Sequence, residues 1–87
     1  MRAIISVVGK DKPGILAFVA KKCADTNVNI LDVSQTVLGE TFTMMMVCEV
    51  DSKIFTDFVS LMEREGKNHG LVIHVMHEDI FNAMHKI

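Results

Sequence analysis

Four histidines, two cysteines and one glycine- and lysine-rich turn are the parts of this 87-residue sequence whose residue types could do chemistry. The histidines are His69, His74, His77 and His85. His74 and His77 stand three apart in a segment of alternating apolar residues. As strand positions they point to opposite faces and cannot easily share a metal ion. His77, Glu78 and His85 gather only if a tail helix begins early, and they fit no usual ligand template. Cys23 and Cys48 lie in apolar settings without metal-ligand spacing and read as small core residues. The thioethers of Met44, Met45 and Met46 do not share one side of a strand, so they read as core and interface fillers rather than copper ligands. Ser6, Ser34, Ser52 and Ser60 lack a G-x-S-x-G elbow, and neither cysteine sits at a predicted helix N-terminus beside a base. The glycine-containing segment 9–14 lacks the lysine and following Ser/Thr of a phosphate-binding loop. The expectation is a protein without catalytic residues, metal or cofactor.

The constellation that does look like a site is in two parts. One is the turn Asp11, Lys12, Pro13, Gly14 and Ile15; the other is Asn29, Ile30 and Leu31 at the start of a later strand. The turn presents free backbone N–H groups at a positive helix end, which favours an anion such as a carboxylate. Gly14 has no side chain to obstruct close approach. Asp11 can accept an ammonium group, and Asn29 offers both a donor and an acceptor. Together these would receive an α-amino acid, provided that the fold or a partner chain brings the two parts together. The plainer reading is that the turn starts a helix, Asp11 caps it and Asn29 closes a turn.

The elements that must position these residues follow from hydrophobic period. Residues 3–8 form a short apolar run ended by Gly9, a strand covered on at least one face. Pro13 suits the first position of a helix. Leu16, Val19, Ala20 and Cys23 then recur at helical spacing, widened by Ile15 and Phe18, while Lys21, Lys22 and Asp25 face away. Residues 28–38 read as a second strand with a polar centre at Asp32, Ser34, Gln35 and Thr36. Gly39-Glu40 suits a two-residue hairpin turn, and 41–50 returns as a third strand. Its faces carry Phe42, Met44, Met46, Cys48 and Val50 against Thr43, Met45, Val47 and Glu49. Asp51-Ser52 offers an N-cap to a second helix with Phe55, Phe58, Val59 and Met62 on one side. Residues 66–70 read as a loop and 71–77 as a fourth strand. Ile80, Phe81, Met84 and Ile87 give the tail one apolar stripe, suggesting a short closing helix.

This order predicts an α+β fold: a ferredoxin-like βαββαβ sandwich, a four-stranded antiparallel sheet with both helices on one face, and a short C-terminal helical tail. One domain over residues 1–87 is expected. A chain so short buries only about 60–65% of its unfolded surface, yet 49% of its residues are hydrophobic. Its strands are apolar on both faces although helices cover one, so a second copy or the tail must cover the other. A homo-oligomer, dimer or higher, paired edge to edge or face to face, is therefore expected. The net charge of −2 and the interleaving of Lys10 and Lys12 with Asp11 exclude the basic stripe of a nucleic-acid binder. Lys21 and Lys22 read as a solvated helix face. No signal core or membrane span is visible, so neither nucleic acid nor membrane is an expected partner, and the expected location is the cytoplasm.

Gly9-Lys10-Asp11-Lys12-Pro13-Gly14-Ile15-Leu16, then Asn27-Val28-Asn29-Ile30 and a hairpin, resembles the ACT-domain pattern: a D/N-x-P-G-hydrophobic turn and a G/N-x-N-I strand start. The resemblance spans about residues 3–76. With the hairpin segment 36–45 and the tail 80–84, the chain looks closest to the free-standing single-ACT-domain proteins of bacteria and archaea. The resemblance implies a regulatory domain that binds a small molecule, typically an amino acid, between two ACT units. The turn around Asp11 and Gly14 of one subunit would face the Asn29–Leu31 region of another. The match is direct at Pro13, Gly14, Asn29 and Ile30 and weaker at Asp11, where amino-acid-binding members often carry Asn. The alternative is a ligand-independent interaction module acting on a partner enzyme or transcription regulator. An acylphosphatase-like hydrolase would need an arginine in the first turn, and Arg2 and Arg64 lie elsewhere.

Overall fold

The structure, a computed structural model, describes residues 1–84. The elements are β1 (Arg2–Lys10), α1 (Ile15–Asp25), β2 (Asn29–Leu38), β3 (Thr41–Glu49), α2 (Phe55–Asn68), β4 (Leu71–His77) and α3 (Glu78–Met84). The four strands form one antiparallel sheet in the order β2-β3-β1-β4. This is the βαββαβ order expected from the sequence, with α3 as the closing helix. Ile87 and His85 lie outside the described residues.

Strand alternation separates the two faces of the sheet. Ala3, Ile5 and Val7 of β1 are buried in register with Cys48, Met46 and Met44 of β3, and Ile5 and Val7 with Val75 and Ile73 of β4. The Met run of β3 is thus a strand, its even positions in the core. Ile15, Val19 and Cys23 of α1 and Phe58 and Met62 of α2 close that core. Filling it removes apolar surface from water at roughly 25 cal/mol per Å². Cys23 and Cys48 sit inside as free thiols. Burial is the main cause that pushes each up to about 11, which keeps them protonated and inert. On the opposite face, cross-strand rows run Asp32-Val47-Ile4-Met76, Ser34-Met45-Ser6-His74 and Thr36-Thr43-Val8-Val72. The tail covers part of it: Phe81 closes a small cavity with Ile4, Ser6, Met45, His74 and Met76. Val8 and Val72 stay exposed.

Several local expectations are corrected. The first helix begins at Ile15, not Pro13, because Gly14 takes φ 87 and ψ 6 as the N-cap and turns the chain before the helix starts. Leu16, expected on the buried stripe, is exposed; the ridge facing the sheet is the i, i+4, i+8 line of Ile15, Val19 and Cys23. Lys22 is no solvated bystander: its Nζ reaches Glu65 Oε1 of α2 at 2.8 Å, linking the helices. The second helix is capped by Ile54 without a side-chain bond. Asp51 instead accepts the Lys53 N–H at 2.9 Å, an Asx turn ahead of the helix. The same helix continues through the residues read as a loop, to Asn68. Gly66 does not break it but is buried in it, and a Cβ there would stand 2.7 Å from Ile73 Cγ1. Absence of a side chain lets α2 lie close on β4.

Two consequences are measurable. Gly66→Ala should gain about 1 kcal/mol of helix propensity and lose about 1–3 kcal/mol to overpacking against Ile73. The net expectation is a loss near 1 kcal/mol, about 4–8 °C in Tm for a domain of this size; a higher Tm by calorimetry would refute the close approach. The hydrogen bond from Lys22 is the largest cause holding the Glu65 carboxyl below the usual carboxylate range. A depressed native value means stability present above the unfolded value, about 4.3, and lost as pH falls through the folded one. The Tm gap between the wild type and Lys22→Met should therefore close on acidification from pH 7 to 3, and a gap independent of pH would exclude the pair as its source.

Candidate functional site

The residues expected to form a site are carried by opposite ends of the sheet. β1 ends at Lys10, paired with Thr41 beside the β2–β3 hairpin, and the turn that follows sits at that end. The Asp11 N–H donates to the Glu40 carbonyl at 2.7 Å, tying the turn to the hairpin. Asn29 pairs with Glu49, which pairs with Arg2 at the far end of β1. Eight residues of strand separate the two parts, about 26 Å at 3.3 Å per residue. Within one chain, Asp11, Lys12, Pro13, Gly14 and Ile15 come together, Asn29, Ile30 and Leu31 come together, and the two groups do not meet.

At the turn, the geometry is that of an open helix start. The first helical bond runs from the Phe18 N–H to the Gly14 carbonyl at 2.9 Å, and no side chain caps the helix. The preceding N–H groups of the first turn therefore lack helical partners and face outward. Asp11 does not cap them. Gly14 needs its positive φ, which costs an L side chain about 1–2 kcal/mol, and a Cβ there would meet nothing within 4 Å. The approach to the amides is open.

The side chains around the turn are not all those the sequence points to. Lys12 Nζ donates to the His69 carbonyl at 2.5 Å, and the Phe18 and His69 rings stack with centroids 4.0 Å apart and planes tilted 33°. His69 Nδ1 lies 3.0 Å from the Glu65 carbonyl, a contact made when that nitrogen carries the proton. Lys22 Nζ stands 5.8 Å from the Phe18 ring centroid. A cavity of about 270 Å³ opens here, lined by Lys12, Pro13, Gly14, Ile15, Phe18, His69 and Leu71. Two of its walls are basic side chains, and Asp11 is not among them. The sequence does not assign His69 and Leu71 to this turn, yet topology marks them: antiparallel pairing of Leu71 with Gly9 sets the start of β4 beside the end of β1.

At the other end, Asn29 is exposed and Ile30 packs against the core. The register shifts between Ile30 and Asp32, so Leu31 lies at a bulge and is exposed. Such a bulge re-aims side chains at a sheet edge. β2 is that edge, and its outer N–H and C=O groups have no strand beside them. No group of three His, Cys, Asp or Glu among the described residues could hold a metal ion. No described helix is long and apolar enough to cross a membrane.

Comparison with known proteins agrees with the fold. The family model of the ACT domain matches residues 2–76. The chain is 47% identical to the UPF0237 protein YjhC of Lactococcus lactis, covering 100% of both. It is 42% identical to a UPF0237 protein of Methanocaldococcus jannaschii, over 99% of this chain and 98% of that one. Among solved structures it is similar to an ACT domain protein from Streptococcus pneumoniae, with 48% identity, 98% of each chain covered and a TM-score of 0.83.

Proposed function

The chain belongs to the ACT domain family, a regulatory fold that binds small molecules, and from that premise we propose that it is a homo-oligomeric sensor of a small metabolite, an amino acid first among them, with its site between two copies. The observation that carries this reading is the separation of the two parts of the site, together with the open edge between them. β2 runs from the Asn29 end to the hairpin beside Asp11, and it is an unpaired edge. Laid antiparallel against the β2 of a second copy, each Asn29–Leu31 segment moves to the partner's hairpin end. The backbone gap to the turn falls from about 26 Å to about three strand spacings, roughly 14 Å. Side chains from both sides and a small ligand span that distance.

The edge is suited to pairing with itself. From Asn29 to Leu38 it carries one charge, Asp32, and no lysine or proline of the kind that protects strand edges. Leu31, Val33, Val37 and Leu38 are exposed along it. In this arrangement the amides of the turn receive a carboxylate, Asn29 of the partner hydrogen-bonds the ligand, and Asp11 on the hairpin side accepts an ammonium. The protein does no catalysis in this reading, acts in the cytoplasm, and uses residues 1–87 as one domain.

Thermal unfolding against each of the twenty amino acids, with the mass in solution measured alongside, tests the proposal. A ligand bound only by the folded protein stabilises it by about 2.7 kcal/mol at a hundred times its Kd. One or two amino acids should raise Tm in a dimer or larger assembly. Asn29→Ala should abolish that shift while leaving the fold and assembly intact. Gly14→Leu should abolish it too, at a separate cost from its φ. Val33→Lys with Val37→Lys should yield a folded monomer without response. A stable oligomer that responds to none of the twenty would replace this reading with a ligand-independent docking module.

A further inference from the structure

The sheet has a second open edge, and it is built differently from the first. β4 has β1 on one side and no strand on the other, so its outer N–H and C=O groups are free to pair. α2 lies close beside it because Gly66 packs directly on Ile73. Helix and strand edge together wall a groove of about 370 Å³. It is lined by Leu71 and Ile73 on the helix side of the strand, by Val72 and His74 where the strand turns its other face outward, and by Arg64 and Lys67 of the helix with a single carboxylate, Glu63. Val72 is 57% exposed. Among the described residues neither Arg64 nor Lys67 forms an ion pair.

We propose that this groove is a docking site for an extended, acidic segment of another protein, which adds to the sheet as a strand beside β4. Strand addition supplies main-chain hydrogen bonds, and the groove supplies selectivity through alternate side chains. Arg64 and Lys67 are three apart on a helix, about 5–6 Å between their Cβ atoms. Carboxylates at alternate positions of a strand lie about 7 Å apart, so two acidic side chains on one face of the incoming segment match two cations on the helix. An apolar β-branched residue between them points to the other face of the sheet and covers Val72 there. A second copy of this chain is a poor occupant. Two β4 edges laid antiparallel set Arg64 and Lys67 of each groove towards the same cations of the other, a like-charge arrangement that disfavours self-pairing. The nearly uncharged β2 edge carries no such penalty. The groove shares Leu71 with the cavity at the first turn, but the β4 edge, Arg64 and Lys67 belong to the groove alone, and its test does not depend on the ligand reading.

The experiment is selection of dodecapeptides from a random phage-displayed library on the full chain, with counter-selection on the Arg64→Glu, Lys67→Glu double variant. Both positions are exposed, and an unchanged melting curve establishes that the variant is folded. Enriched sequences should carry two acidic residues at i and i+2 within a β-branched stretch. A synthetic peptide of the leading sequence should bind the wild type at least tenfold more tightly than the double variant. Its binding should slow amide exchange in Leu71–His77 and leave Asn29–Leu38 unaffected. Failure to enrich acidic sequences, equal binding to the double variant, or protection confined to Asn29–Leu38 would each overturn the proposal.

Discussion

The structure depends on β1 being paired along both sides. β3 takes one edge and β4 the other, so β1 is paired on both sides from Ala3 to Gly9 and its inward residues, Ala3, Ile5 and Val7, are inaccessible to solvent. A strand held in this way fixes what lies at its ends. At Lys10 three connections converge: the β2–β3 hairpin through Asp11, the α2–β4 connection through Lys12, and the start of α1 through Gly14. The turn is therefore anchored on both flanks while its helix amides face outward. Polar backbone left open at a rigid point is the physical basis of the proposed binding site, since a ligand that docks on it meets groups already in place and orders little else.

The alternation of β1, β3 and β4 was legible because each has one face in the core and one outside it, the condition under which a period of two appears. β2 obeys the same geometry but gives a weaker signal. It lies at the edge with almost every residue exposed, so polar and apolar residues mix on both faces. The errors at the helices have a different origin. Glycine read as a breaker marks a breaker when its backbone freedom is used, as at Gly14 with φ 87. At Gly66 the property in use is the missing side chain, which shows only when Ile73 is placed opposite it. Leu16 lies outside the core because a stripe of six apolar positions is wider than the surface α1 presents to the sheet, and sequence does not say which margin is left out.

For the site, the residues of the turn were readable and their neighbours were not. Asp11 to Ile15 are contiguous, and a proline-glycine pair ahead of an amphipathic helix declares itself. His69 lies 57 residues beyond Lys12. It enters through strand pairing, so it becomes visible only when the order β2-β3-β1-β4 is converted into which ends adjoin. The same conversion shows what one chain cannot do. Asp11 and Asn29 flank a single helix in sequence and sit at opposite ends of the sheet in space. A motif that reads as a single site from its order falls into two separated groups of residues in the folded chain.

The two parts of the proposed site, held on one rigid sheet, constrain how regulation can work. Coupling between a ligand and an output needs an element with two states that the ligand binds unequally. The sheet is a poor candidate: Met44 and Met46 are wholly buried in it, and packed interiors of this kind resist continuous deformation. On the reading proposed above, the two-state element is association itself. A metabolite held by the turn of one copy and Asn29 of the other binds the paired state and not the separated one. By mass action it then shifts the population of paired copies without altering the fold of either. The signal is the presence of a second chain, and the surfaces that a pair displays together, rather than a changed shape of one, are what a regulated protein reads.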